Sequence, residues 1–258
     1  MRITLVVYVP CRDGVVLAAD SGFETNYAEK TSLMRSGEKV RNINGRFLFS
    51  GAGDYALIDE ARNLLKGGLN KIKKFEDVKS EFLNDFAHKR EEYIRLRKRA
   101  KGVDPDDEED EEVALAATLI LAYYNEKEGG NAIVISDDML ITSLNRENDF
   151  GALGFGVGET VANLQLSKYR KEEIGIEEGC FIAYKTIKDT MAVVGSALLE
   201  PISIYTMDSG GIKAVENSRI AVLEQAYNEV GRREREFVSD MINYLRDSTG
   251  REKLRTRG

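Results

Sequence analysis

The stretch Ile3-Thr4-Leu5-Val6-Val7-Tyr8-Val9, then Pro10-Cys11-Arg12-Asp13-Gly14, then Val15-Val16-Leu17-Ala18-Ala19-Asp20 decides the fold. Two runs rich in β-branched residues flank an Asp-Gly pair, a strong signal for a tight hairpin turn. The chain is therefore expected to open with a β-hairpin. Pro10, Arg12 and Asp13 cut the first apolar run too short for a membrane-spanning helix or the apolar region of a signal peptide. The expectation is a cytoplasmic protein without a membrane partner.

Further along, a polar loop is expected over residues 25–37, and the segments 39–43 and 46–50 flank Asn44-Gly45, the preferred type I′ dipeptide, giving a second hairpin. Gly51-Ala52-Gly53-Asp54 is read as opening a helix with its apolar stripe at Leu57, Ile58, Ala61, Leu64, Leu65 and Leu69. A second helix is expected over residues 76–99, burying Val78, Phe82, Phe86, Tyr93 and Leu96. Residues 101–113, with Asp104 and the run from Asp106 to Glu112, repel one another and bury nothing, so they read as a solvated acidic loop. Strands follow at 114–124, 131–136 and 139–143, helices at 159–168 and 177–193, and strands at 202–207 and 212–215. The chain ends in a helical region over 218–249, with a break expected at Gly231. Strands grouped in hairpins, instead of alternating singly with helices, predict an α+β fold with antiparallel sheets and helices outside, in one domain over residues 1–258.

Composition narrows the chemistry. The 258 residues are 42% hydrophobic and 31% charged, enough for a sizeable core and unlike a disordered chain. A net charge of −7 argues against general nucleic-acid affinity, and the basic Lys89–Lys101 stretch reads as a solvated helix end meeting the acidic loop. Cys11, Cys180 and the single His88 cannot build a disulfide framework or a multi-histidine zinc site, so no metal is expected. His88 lies in a strongly charged helix and reads as a surface residue, and Cys11 as a loop thiol with no histidine near it in sequence. The run Gly154-Phe155-Gly156-Val157-Gly158 lacks the spacing of a dinucleotide loop, so no cofactor is expected.

Three segments taken in order carry a resemblance: residues 13–20, Lys39-Val40-Arg41-Asn42-Ile43, and Phe49-Ser50-Gly51-Ala52-Gly53-Asp54. Together they resemble the N-terminal third of a proteasome β-type subunit or its bacterial relative. The resemblance implies the four-layer αββα sandwich of two antiparallel sheets found in N-terminal nucleophile hydrolases. It also implies a homo-oligomeric ring, polypeptide substrates and, as a further partner, an ATP-dependent unfoldase.

The chemistry of such a site has its own logic. A threonine hydroxyl is a poor nucleophile until a base takes its proton, and a terminal threonine supplies that base as its own α-amine. A lysine ammonium nearby lowers that amine's proton affinity, a carboxylate keeps the lysine charged, and a backbone N–H at a glycine meets the developing oxyanion. Reading back without a gap from the Asp-Gly turn places Thr4 on the family's nucleophile. Asp20 then matches its carboxylate, Lys39 its lysine and Gly53 its oxyanion donor. Each also has an ordinary structural reading, as a strand residue, a strand-end turn, a solvated strand start and a helix-entry turn.

The sequence departs from the pattern in two places. Met1-Arg2-Ile3 precede Thr4, so its nitrogen lies in a peptide bond, and the β-branched Ile3 stands where the family favours glycine. Val157 stands where a serine supports the terminal amine, and the stretch 191–196 lacks an expected aspartate. Two functions follow: a threonine-type endopeptidase acting once Thr4 becomes N-terminal, or a ring subunit that keeps the fold while its site has decayed. The apolar positions of the C-terminal helix are read as core or as a contact with a neighbouring subunit.

Overall fold

The computed structural model describes residues 4–27, 30–35, 39–68, 82–100, 102, 104, 117–144, 150–154, 157–169, 174–195 and 198–255. The chain forms two compact units, Met1–Val215 and Glu216–Gly258.

The opening hairpin forms as expected: β1 (Val6–Cys11) pairs with β2 (Gly14–Ala19), with Val6 opposite Ala19 and Cys11 opposite Gly14. The polar stretch expected as a loop is instead a hairpin of its own, β3 (Gly22–Tyr27) and β4 (Lys30–Arg35), which makes a separate two-stranded sheet. Next come β5 (Arg41–Ile43) and β6 (Phe47–Gly53), joined through Asn44 and Gly45 at φ +52° and +72°. These positive angles are those of the expected type I′ turn. Strand β6 continues through Gly53, where the sequence reads as a helix start, because residues 48–53 pair along β7 (Ala117–Asn125). The helix α1 (Tyr55–Gly68) begins only after Asp54.

Helix α2 (Leu83–Ala100) follows, then β8 (Gly129–Ile135), β9 (Ile141–Leu144) and the short β10 (Gly151–Leu153), which the sequence reading missed. Helices α3 (Val157–Leu166) and α4 (Ile176–Val194) lead to β11 (Ser203–Asp208) and β12 (Gly211–Ala214). The two larger sheets are antiparallel and five-stranded, ordered β10-β1-β2-β11-β12 and β5-β6-β7-β8-β9.

Alternation along the strands sorts the apolar side chains into layers. Val6, Tyr8, Val15, Leu17 and Ala19 of the first sheet share one core with Leu48, Ile120, Ala122 and Ala132 of the second. The opposite face of the second sheet, with Phe47, Phe49, Leu119, Leu121, Ile133 and Ile135, packs with Ala61 and Leu65 of α1 and with Phe82 and Phe86. Helix α4 lies against the outer face of the first sheet, where an added Cβ at Gly179 would stand 2.5 Å from Cys11 Sγ and 3.2 Å from Val16 Cγ2. This stacking is compatible with the expected sandwich.

Expectations at α2 divide. Phe86 is buried and Tyr93 half-buried, whereas Leu96 is 53% exposed, so the apolar stripe stops short of the helix end. Val78, the expected helical residues 76–81 and the acidic loop, apart from Gly102 and Asp104, lie outside the described residues. Among the described residues no helix is long and apolar enough to cross a membrane.

The second unit is one helix, α5 (Asn217–Arg255), which runs unbroken through Gly231. A mid-helix glycine is unfavourable on its own. Ion pairs bridge it, from Glu229 to Arg232 and Arg233 and from Arg232 to Glu236. Phe237, Val238, Met241 and Ile242 are exposed along it.

The packing sets a paired test. Gly179→Ala forces a methyl into the α4–sheet contact and should destabilise the protein by about 1–3 kcal/mol. Gly67→Ala, in open space on α1, should stabilise it by about 0.4–1 kcal/mol through the unfolded chain. Urea denaturation of both variants checks the pair, and equal effects would contradict the packing described.

Candidate active site

The site is built around a carboxylate with no exposed surface. Asp20, just past the end of β2, is 0% exposed, and both of its oxygens accept several donors. Oδ1 takes the Leu5 N–H at 3.0 Å and Lys39 Nζ at 2.7 Å. Oδ2 takes the Gly22 N–H at 2.8 Å and the Leu199 N–H at 3.4 Å. Asp20 N–H donates in turn to Leu5 O at 3.2 Å. A buried charge is tolerated only when paired and hydrogen-bonded in this way.

Lys39 reaches the carboxylate from the segment ahead of β5, with its side chain 9% exposed. Two anchors hold that segment: Ser50 Oγ on β6 donates to Lys39 O at 3.2 Å, and Val40 is buried in the core between the sheets. Burial pushes the Lys39 pKa down, and the Asp20 charge and hydrogen bond oppose that shift. The same ammonium reaches Thr4 Oγ1 at 3.5 Å. Thr4, Asp20 and Lys39 are thus brought together, although their positions are spread over 35 residues.

Gly53 occupies the last position of β6 at φ +120°, a conformation that glycine favours. Asp54 follows it and caps α1, accepting the N–H groups of Ala56 at 3.0 Å and Leu57 at 3.3 Å, while its other oxygen accepts Arg97 of α2 at 2.8 Å. Acceptance of first-turn donors is what makes Asp a good N-cap.

The glycine run enters the site at Gly154, where a Cβ would stand 2.7 Å from Thr4 O. Phe155 and Gly156 lie outside the described residues, and Val157 begins α3 with 56% of its surface exposed. Sequence reasoning passed over Glu159, in the first turn of α3. Its carboxylate accepts the Gly154 N–H, and burial pushes its pKa up while that bond opposes the rise. An acidic residue in the first turn of a helix was the only signal available, and it does not say which backbone group the side chain will meet. The backbone donor of Leu199 carries no signal in sequence at all.

The remaining candidates stand apart. Cys11 is the last residue of β1 and buried, not a loop thiol, and burial pushes both thiols up, Cys180 to about 12, which disfavours the thiolate. His88 is exposed on α2. Among the described residues no group of three His, Cys, Asp or Glu side chains could hold a metal ion.

The pair has a measurable asymmetry. Asp20→Ala strands a buried ammonium and three backbone donors, and should cost about 3–5 kcal/mol in urea denaturation. Lys39→Met leaves the carboxylate with its backbone donors and should cost less. Because the folded Lys39 pKa lies below its ordinary 10.5, the unfolded chain binds more protons between the two values, so this group makes stability rise with pH there. That contribution should vanish in Lys39→Met relative to wild type, and a larger loss for Lys39→Met than for Asp20→Ala would contradict the geometry. Compared with models of protein families and with curated proteins, the chain matches none.

Proposed function

We propose that the protein is a threonine-type endopeptidase on an N-terminal nucleophile hydrolase fold, acting on polypeptides within a homo-oligomeric ring once the Ile3–Thr4 bond is cut. The observation that carries this reading is Lys39 Nζ, held at 2.7 Å by a fully buried carboxylate and lying 3.5 Å from Thr4 Oγ1. A lysine serving only as a buried ion-pair partner has no need of a hydroxyl beside it, and a threonine with an ammonium within reach has its proton loosened.

In this mechanism the freed α-amine of Thr4 takes the hydroxyl proton as Oγ1 attacks the scissile carbonyl carbon. Lys39 stabilises the developing negative charge, and the Gly53 N–H is assigned to the oxyanion. Collapse expels the substrate's amine, which leaves with the proton held by the α-amine, and Thr4 carries an ester. Water, deprotonated by the same α-amine, hydrolyses that ester, releasing the carboxylic acid and restoring the hydroxyl.

A second reading, a ring subunit without peptidase activity, is favoured by Val157, an exposed apolar residue where the resemblance calls for a hydroxyl. The two readings part on one experiment. The peptidase reading expects the untagged protein to lose Met1-Arg2-Ile3 by intact mass and to hydrolyse fluorogenic peptides. Thr4→Ala should keep the full mass and show no turnover above buffer. A wild-type protein that keeps its full mass and shows no turnover would favour the second reading.

A further inference from the structure

Among the polar side chains of helix α3, Glu159 and Asn163 stand one turn apart and so on one face. Asn163 clasps β10, its Oδ1 accepting the Ala152 N–H at 3.0 Å and its Nδ2 donating to Ala152 O at 3.4 Å. Glu159 accepts the N–H of Gly154, two residues further on. Gly154 is where the strand end meets the nucleophile's segment, since a Cβ there would lie 2.7 Å from Thr4 O and 3.4 Å from Glu159 Cβ. Only a glycine lets the backbone come this close. Thr4 itself precedes β1, whose pairing with β10 begins only at Val6 and Leu153, so the ladder does not fix the Thr4 main chain.

We propose that Glu159 is a positioning residue for Thr4: by fixing Gly154 against the Thr4 carbonyl, it holds the hydroxyl in register with Lys39. The inference rests on the reading of Thr4 as nucleophile and adds to it a support absent from the residues matched by sequence. Glu159 does not touch the reacting atoms. Its effect runs through the Gly154 backbone, which follows β10 on one side of β1, whereas Asp20 follows β2 on the other. It supplies the loop with a polar anchor that Val157, having no hydrogen-bonding group, does not provide.

Two readouts test this, one of them independent of activity. The first is the rate at which a peptidyl β-lactone acylates Thr4, followed by mass, the lactone ring opening as its acyl carbon forms an ester to Oγ1. The second is amide hydrogen exchange at Leu5, whose N–H donates to Asp20. Glu159→Ala should slow acylation by about 10- to 100-fold, the scale of a small misplacement of a reacting group, and should quicken Leu5 exchange. Glu159→Gln, which keeps an acceptor oxygen, should restore both. Asn163→Ala, which loosens β10 without touching Gly154, controls for general loosening of the helix–strand contact and should slow acylation far less. Gly154→Ala should reproduce the Glu159→Ala defect. Equal effects of Glu159→Ala and Asn163→Ala, or a Glu159→Ala protein with wild-type exchange, would overturn the proposal. A wild-type protein that is never acylated at Thr4, with Leu5 exchange still quickened by Glu159→Ala, would overturn the peptidase reading while supporting the holding contact.

Discussion

Everything at the site follows from one constraint, the charge of Asp20 buried without solvent. A carboxylate in that position must be satisfied by donors, and here they come from four parts of the chain: the approach to β1 (Leu5), the start of β3 (Gly22), the segment ahead of β5 (Lys39) and the segment between α4 and β11 (Leu199). The Ser21 N–H and hydroxyl both donate to Leu199 O, at 2.8 and 3.1 Å, and close the same junction from the other side. The electrostatic requirement of one residue thereby fixes where Lys39 stands, and Lys39 in turn meets Thr4. Removing the carboxylate would disturb the fold and this cluster together, whereas removing the Thr4 hydroxyl would cost only its contact with Lys39.

The two sheets make that arrangement rigid. Their shared core is formed by alternate residues of β1 and β2 facing alternate residues of β6, β7 and β8, so the ends of β2 and β6 are held by packing far from the site. Asp54 adds a second tie, capping α1 with one oxygen and accepting Arg97 of α2 with the other, immediately after Gly53. The positive φ of Gly53 is thus set between a paired strand and a capped helix.

Much of this was legible in the sequence where local chemistry decides the backbone. Asp13-Gly14 and Asn44-Gly45 mark their turns through backbone preference alone, and the β-branched runs of β1 and β2 read as strands without knowledge of a partner. Thr4, Asp20 and Lys39 were placed by matching segments in order, and the structure brings those three side chains within hydrogen-bonding reach. What was missed depends on distant parts of the chain. The β3–β4 hairpin has a polar sequence that does not announce a strand, and the Gly51–Gly53 strand end is decided by β7, more than 60 positions away. The short β10 exists because β1 offers it an edge, and Glu159 gains a role only once Gly154 is pressed against Thr4.

The central claim is that Thr4 is the nucleophile, and locating a covalent adduct tests it most directly. The protein would be treated with an electrophilic peptide mimic, digested, and the modified residue identified by tandem mass spectrometry, with Lys39→Met treated in parallel. The account predicts a single adduct on Thr4, lost or strongly slowed without Lys39. An adduct on another residue, or one on Thr4 whose rate is indifferent to Lys39, would contradict it.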